Sequence, residues 1–330
     1  MKRLIAEFEE QNFTQIIFPH KDTDWSAYLE EAEETFIHII NTISKFQKCF
    51  VICADITYVK SKFPDHHNLY FAEYLSNDTW ARDCSCLCVE EDSDISLLDF
   101  TFNAWGNKFD SQKDNAMSQA MKNIYLKDLH TQDFVLEGGA VESNGVDTIL
   151  TTTACMLNRN SHLNSIEVTQ KLNTFFGATK ILYLDHGYLA GDDTDSHIDT
   201  LARFINEDTI MYVKCEDEKD EHFDELALME AELEEIAKQN SFKLIALPLP
   251  EAIYFAKERL PATYANFLFV NGAVLVPVYG AKEDSIALDI FTKNFPTKKI
   301  IPINCSTLIK QHGSLHCVTM NFARGVTLLI

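Results

Sequence analysis

Between residues 24 and 46, Trp25, Tyr28, Leu29, Ala32, Phe36, Ile39, Ile40 and Ile43 recur at intervals of three and four, the spacing that places apolar side chains on one face of a helix. Weaker versions of the pattern predict helices over 112–125, 165–176, 222–239 and 283–294, with Gly177 as the stop of the third. Each predicted helix is followed by a short apolar run, at 49–53, 134–136, 181–184, 244–247 and 300–303, which reads as a strand. Hairpin-like pairs come next: 84–89 with 96–102, 139–142 with 148–151, 200–204 with 209–213, and 267–270 with 274–278. Asn144-Gly145 divides the second pair, and that dipeptide favours a type I′ turn. The fifth pair has one strand at each end of the chain, 317–320 pairing with 15–18, which closes a ring through the termini.

The unit of strand, hairpin and helix therefore recurs about five times at roughly 60 residues, a period typical of propellers and arrays. The predicted class is α/β, a five-bladed pseudo-symmetric propeller; the competing arrangement is an ordinary α/β sheet with hairpins. No linker rich in Pro, Gly or Ser divides the chain, so 1–330 is expected to be a single domain. Asp83, Glu137, His197, Asn266 and Cys317 stand at the starts of successive hairpins. Equivalent positions in a closed ring face one axial pocket.

Composition narrows the ligands. With 28 Lys and Arg against 50 Asp and Glu, the formal charge is −22, and no basic stripe exists to bind a phosphate backbone. A cationic substrate is more natural. The start of the chain carries no signal-like apolar stretch and no 18-residue apolar run occurs, so a soluble, cytoplasmic protein without a membrane partner is expected. Nine cysteines, an odd count, then read as reduced thiols. Cys84, Cys86 and Cys88 have the period of a strand face, which favours small apolar residues over a metal cluster. The acidic run 215–222 reads as a solvated loop entering a helix.

A thiol, an imidazole and three carboxylates suffice to grip a planar cation and attack its central carbon, which points to guanidinium chemistry. The motifs that carry a family resemblance span nearly the whole chain: Glu7-Phe8-Glu9, 77–83 ending Trp80-Ala81-Arg82-Asp83, 102–106 with Trp105, Glu137-Gly138-Gly139, Arg159-Asn160, His197-Ile198-Asp199, 264–267 and 313–317. In this order they resemble the agmatine deiminase and bacterial peptidylarginine deiminase-like family of the guanidino-group modifying superfamily. The resemblance implies the pentein fold and cysteine-dependent hydrolysis of agmatine to N-carbamoylputrescine and ammonia through a covalent thiouronium adduct. It implies no metal and no organic cofactor, a small guanidino substrate as partner, no nucleic acid, and it admits a homodimer.

By the same resemblance Cys317 is the nucleophile and His197 the general acid and base, for which a reference pKa of about 6.5 suits neutral pH. Asp83 and Asp199 resemble the carboxylates that hold the guanidinium, and Glu137 the partner of the catalytic His. Trp80 and Trp105 are expected to wall the pocket, and Arg82 to fix loops through acidic partners. His316 is the local rival to His197, but alternation along a strand would turn it to the opposite face from Cys317.

The chain departs from the family pattern at Cys84-Ser85-Cys86, where Gly-Pro is usual, at Ser196, where Gly is usual, and at 312–316, where a Gly-rich run with Asn is usual. No reacting atom is replaced, so loop shape and substrate choice are what the departures touch. Agmatine stands against peptidylarginine and free arginine as substrate. From other classes, a papain-like thiol protease would use Cys317, a His and Asn266, and a binding scaffold would use none of them catalytically. The apolar tail 321–330 has no assigned role.

Overall fold

In the computed structural model, which describes residues 2–329, five sheets share one plan. An antiparallel strand pair is extended by a parallel strand, and the parallel addition needs a crossover long enough to hold a helix. The first blade pairs Leu87–Glu91 with Asp94–Thr101 and adds Leu129–Val135; Lys2–Leu4 lines its other edge. The second pairs Val141–Ser143 with Thr148–Thr152 and adds Lys180–Leu184. Ala202–Asn206, Thr209–Lys214 and Lys243–Pro248 form the third. Leu268–Val270, Ala273–Val278 and Lys299–Asn304 form the fourth. In the fifth, Thr319–Ala323 lies antiparallel to Gln11–Ile17, Thr319 opposite Ile16, and Lys48–Cys53 and Leu69–Glu73 follow in parallel.

The crossover helices follow their patterns. Ser165–Phe176 is bounded by an Asn164/Glu167 capping box and by Gly177 at φ 62°, a conformation a Cβ would penalise. Phe223–Asn240 and Asp284–Asn294 begin one residue later than expected, and Gln112–Met121 is shorter than expected. The 24–46 pattern opens as a 3-10 turn, Asp24–Tyr28, before the α-helix Leu29–Ile43. Trp25 is fully buried there and donates from Nε1 to Thr79 Oγ1 at 2.8 Å.

Four local expectations are corrected. Residues 84–89 are not one strand: Ala81–Cys84 is a helical turn whose Cys84 thiol donates to the Trp80 carbonyl, and the strand begins at Leu87. Cys84, Cys86 and Cys88 are all buried, but they share no strand face. The Asn144-Gly145 turn is not type I′, which needs two positive φ angles; only Gly145 has one. Asn144 Oδ1 instead accepts from the N–H groups of Val146, Asp147 and Thr148, holding a longer loop. The strand expected at 134–136 begins at Leu129, since an edge strand exposes polar side chains that hide its period. Cys317 lies in a turn just before its strand, not in it.

The tail continues the last strand to Ala323, buries Val326 and donates from Leu329 N to the Ile124 carbonyl; Ile330 lies outside the described residues. The acidic run is partly built in, because Asp220 bonds both Arg259 and His222. Among the described residues no helix is long and apolar enough to cross a membrane.

Candidate active site

The hairpin heads converge on a cavity of about 450 Å³ lined by Asp83, His197, Cys317, Trp80 and Trp105. Cys317 sits on the turn that follows Gly313. A Cβ at Gly313 would come 2.1 Å from the Trp80 ring, so only glycine lets this turn pass beneath the indole. The Cys317 Sγ lies 3.4 Å from Asn266 Oδ1 and 4.0 Å from Asp199 Oδ2. Asn266 Oδ1 also accepts from His316 N at 2.8 Å, and Arg82 N donates to the Cys317 carbonyl at 3.1 Å. The turn is thus pinned from two other blades.

His197 precedes the 3-10 turn Ile198–Thr200, and its N–H donates to Thr194 Oγ1. Asp195 and Ser196, at φ 61° and 68°, bring the chain into this position through left-handed backbone, which explains why glycine is usual at residue 196. Nδ1 is 3.7 Å from Asp83 Oδ1 and Nε2 is 3.7 Å from Glu137 Oε2. Both are electrostatic contacts longer than a direct hydrogen bond. Asp83 accepts from Trp105 Nε1 and from Gly139 N, each at 3.0 Å. Trp105 reaches it from a left-handed stretch in which Ala104, Trp105 and Gly106 all have positive φ.

Gly139 is where these side chains meet. A Cβ there would lie 2.6 Å from His197 Nδ1, 2.9 Å from Asp83 Oδ1 and 3.1 Å from Asp199 Oδ2. Asp199 and Glu137 are not part of the cavity lining, but Asp199 Oδ2 comes to 4.0 Å from the Cys317 Sγ at its edge. Asp199 Oδ2 is 2.7 Å from His316 Nδ1, while its Oδ1 is buried without a hydrogen-bond partner. Glu137 Oε1 accepts from Arg159 Nε at 2.6 Å, and the same guanidinium bonds Asp195 and the Thr194 carbonyl. Arg159 therefore ties Glu137 to the loop that carries His197.

The charges are mutually set. Burial pushes the Cys317 thiol well above its usual value, and Asp199 and Asp83 add to the shift. For His197 burial works downward, but Asp83, the neighbouring Cys155 and Glu137 hold it well above the value expected of a free imidazole. Burial raises Asp83. Burial also opposes ionisation of Glu137 and Asp199, yet His197 with Arg159 lowers the first and His316 lowers the second.

His316 faces away from the cavity, but not by strand alternation. It belongs to the turn, and its ring bridges Asp199 Oδ2 and Glu7 Oε2. Arg82 and Arg203 close on the same Glu7 at 3.0 and 3.1 Å, so Arg82 does serve an acidic partner. Trp80 and Trp105 wall the cavity edge to face, 6.3 Å apart.

In the sequence Arg159 carries no role beyond its motif, and Asn266 stands as a hairpin head and a protease alternative but with no part in the guanidinium chemistry. Asp78 has no role there either, although Asn77-Asp78 lies in one of the motifs. Eight aspartates line the cavity: Asp22, Asp24, Asp78, Asp83, Asp110, Asp114, Asp192 and Asp193; no Lys or Arg does among the described residues. Burial, then Asp24 and Asp114, pushes Asp78 up to about 7, and burial takes Asp114 to about 7.

A five-bladed pentein ring with a thiol, an imidazole and carboxylates at its hairpin heads defines a hydrolase acting on guanidino groups. The sequence profile of the Porphyromonas-type peptidyl-arginine deiminase family matches residues 3–322, and the chain belongs to that family. Among solved structures, the agmatine deiminase of C. jejuni, as a cysteine-to-serine variant with substrate bound, is 41% identical with a TM-score of 0.95, covering 98% of this chain and 97% of its own. The agmatine deiminase of Enterococcus faecalis is 28% identical with a TM-score of 0.91, over 98% and 96%.

Proposed function

We propose that this protein hydrolyses agmatine to N-carbamoylputrescine and ammonia. The observation that carries the reading is the cavity itself: Cys317, His197 and Asp83 line it together with seven further aspartates, and among the described residues no Lys or Arg does. An arginine substrate brings an α-carboxylate that this lining repels, whereas agmatine brings a cation at each end.

Asp83 and Asp199 hold the guanidinium nitrogens, the role that fits the unpartnered Asp199 Oδ1. A cation placed between them offsets the part that Asp199 and Asp83 add to the burial of the Cys317 thiol, and its own charge favours the anion, so substrate binding promotes the thiolate that attacks it. Attack forms the C–S bond; the His197 imidazolium protonates the departing nitrogen, and the C–N bond breaks to release ammonia. Neutral His197 then takes a proton from water as it adds to the thiouronium carbon, and cleavage of the C–S bond returns the thiolate. Glu137, held by Arg159, stabilises the imidazolium. Trp80 and Trp105 flank the methylene chain.

Asn266 bonds the backbone of residue 316, the Cys317 thiol and the Asp199 carbonyl. It does not orient a histidine ring, as a papain-like triad requires. Nine free cysteines suit a reducing compartment, and we assign the reaction to the cytoplasm.

The test is ammonia release from agmatine, free arginine and a blocked peptidyl arginine, for wild type and Cys317→Ala. Agmatine is expected to be preferred by about a hundredfold, and Cys317→Ala to lose at least about ten-thousand-fold in rate. Undiminished turnover by Cys317→Ala overturns the mechanism, and a preference for arginine or peptide overturns the substrate.

A further inference from the structure

On the Glu137 side of the His197 ring lies a thiol, Cys155, that the reaction leaves unused. His197 Nε2, Glu137 Oε2 and the Sγ of Cys155, all buried, lie within 4.8 Å of one another. Nε2 and Sγ stand 3.7 and 3.8 Å from Oε2, and the buried Nε2 makes no hydrogen bond. The Cys155 thiol donates to Glu137 Oε2, whereas Nε2, beside both atoms, is buried with no partner of its own.

The spacing is that of metal ligands. With bonds of about 2.0–2.1 Å to nitrogen and oxygen and about 2.3 Å to sulfur, a tetrahedral zinc ion holds its ligand atoms roughly 3.3–3.6 Å apart. The two separations from Oε2 are within a few tenths of an ångström of that arrangement, and the third, within 4.8 Å, closes by a rotamer adjustment of roughly 1 Å at most. The donor set also fits, since thiolate, imidazole and carboxylate together suit a borderline-soft divalent ion. Glu137 needs no new support, because Arg159 already holds its other oxygen at 2.6 Å, the outer contact that orients metal-binding carboxylates. Cys155 and Glu137 do not line the cavity, so the group is separate from Cys317.

We infer that Glu137, Cys155 and His197 form a binding site for a thiophilic divalent cation, zinc foremost, whose occupation stops turnover. Binding forms Zn–S, Zn–N and Zn–O bonds and releases the thiol proton and the Nε2 proton. His197 is then left neutral, with its remaining proton on Nδ1, and cannot serve as the imidazolium acid. Inhibition thus rests on the role proposed for His197; metal binding does not.

The direct experiment titrates the Cys317→Ala protein with Co²⁺, which reports thiolate ligation by a charge-transfer absorption band. The band is expected in Cys317→Ala and absent from the double variant Cys317→Ala/Cys155→Ala. No band in the first protein, or an equal band in both, overturns the site. This measurement needs no turnover, so its failure is distinct from failure of the deiminase reading. In the active enzyme, Zn²⁺ is expected to inhibit ammonia release reversibly on addition of EDTA. Cys155→Ser, which keeps the shape but offers a poor ligand, is expected to need at least about tenfold more Zn²⁺ for the same inhibition. Equal sensitivity of Cys155→Ser and wild type overturns the inference.

Discussion

Two groups of buried carboxylates crowd the centre of this ring; burial raises both, and neighbouring cations overcome it in one and not in the other. On the side turned from the cavity, Glu7 is met by His316, Arg203 and Arg82, which hold it far below the usual carboxylate range despite its burial. Asp199, bonded to His316 on one side and beside the Cys317 thiol on the other, stands between the two groups and is likewise lowered. Glu142 is the exception: it shares the Arg203 guanidinium with Glu7, and burial leaves it raised. On the cavity side, burial raises Asp78, Asp83 and Asp114. The protein provides cations for one group and leaves the other facing a cavity in which, among the described residues, His197 beside Asp83 is the charged partner and no Lys or Arg lines the wall. Paired acids hold the ring together, and the cavity acids are poised for a cationic guest.

The contrast breaks most sharply at Asp83. Asp83→Asn removes the charge and keeps one of the two acceptor oxygens, since Trp105 and Gly139 bond different oxygens of Asp83. It is expected to lower kcat/KM for agmatine by about a thousandfold, or ~4 kcal/mol, at a cost in stability of about 1–2 kcal/mol from the one donor left unmatched. Activity within tenfold of wild type would remove Asp83 from the guanidinium site. Glu7→Gln, on the other side, should cost about 3 kcal/mol in urea unfolding, because it strands buried positive charge; an unchanged unfolding midpoint would mean that the paired group does not stabilise the ring.

A smaller effect sharpens the role of Asp78. With its value near 7, it is mainly neutral at pH 6 and mainly charged at pH 8. Asp78→Asn should therefore raise KM by about tenfold at pH 8 and little at pH 6, which steady-state assays at the two pH values would read.

Stability follows the opposite sign. A carboxyl raised from about 3.9 in the unfolded chain contributes stability that is complete below that value and is lost as pH rises through the folded value near 7. Calorimetry of the substrate-free protein should show the melting temperature falling by about 3 °C between pH 6 and pH 8, with a smaller fall in Asp78→Asn. Glu7 and Asp199 are lowered and stay ionised across that window, so they add no slope.

The smallest effect is at Ser196. Replacing it with Gly relieves a left-handed backbone at the cost of unfolded-chain entropy, for a net gain of ~0.5 kcal/mol. A destabilised Ser196→Gly protein would show that the strained loop is held by the serine itself.

Much of this molecule is legible from its sequence where the signal is local. The helix 165–176 could be bounded to the residue because Asn164, Glu167 and Gly177 mark its ends chemically. The motif residues Asp83, His197 and Cys317 do line one cavity. The failures are equally local in cause. Cys84 to Val89 reads as a strand because burial on all sides erases the difference between a helical turn and a strand. Leu129 to Asp133 is hidden by its polar, exposed edge. Arg159 could be quoted as part of a motif, but nothing near it in sequence shows that it clasps Glu137, 22 residues away. The position of Cys155 beside Glu137 and His197 is likewise set by elements from different parts of the chain.

The sequence by itself determined the order of the elements, the fivefold repeat and the inventory of reacting groups, because side-chain periodicity and motif identity are properties of neighbouring residues. Only the tertiary structure decided which carboxylates are paired and which face the cavity, why His197 is raised rather than left near its free value, and how His316 turns toward Glu7. These depend on burial and on separations of a few ångströms between residues far apart in the chain, and the energy of a charge changes steeply with both.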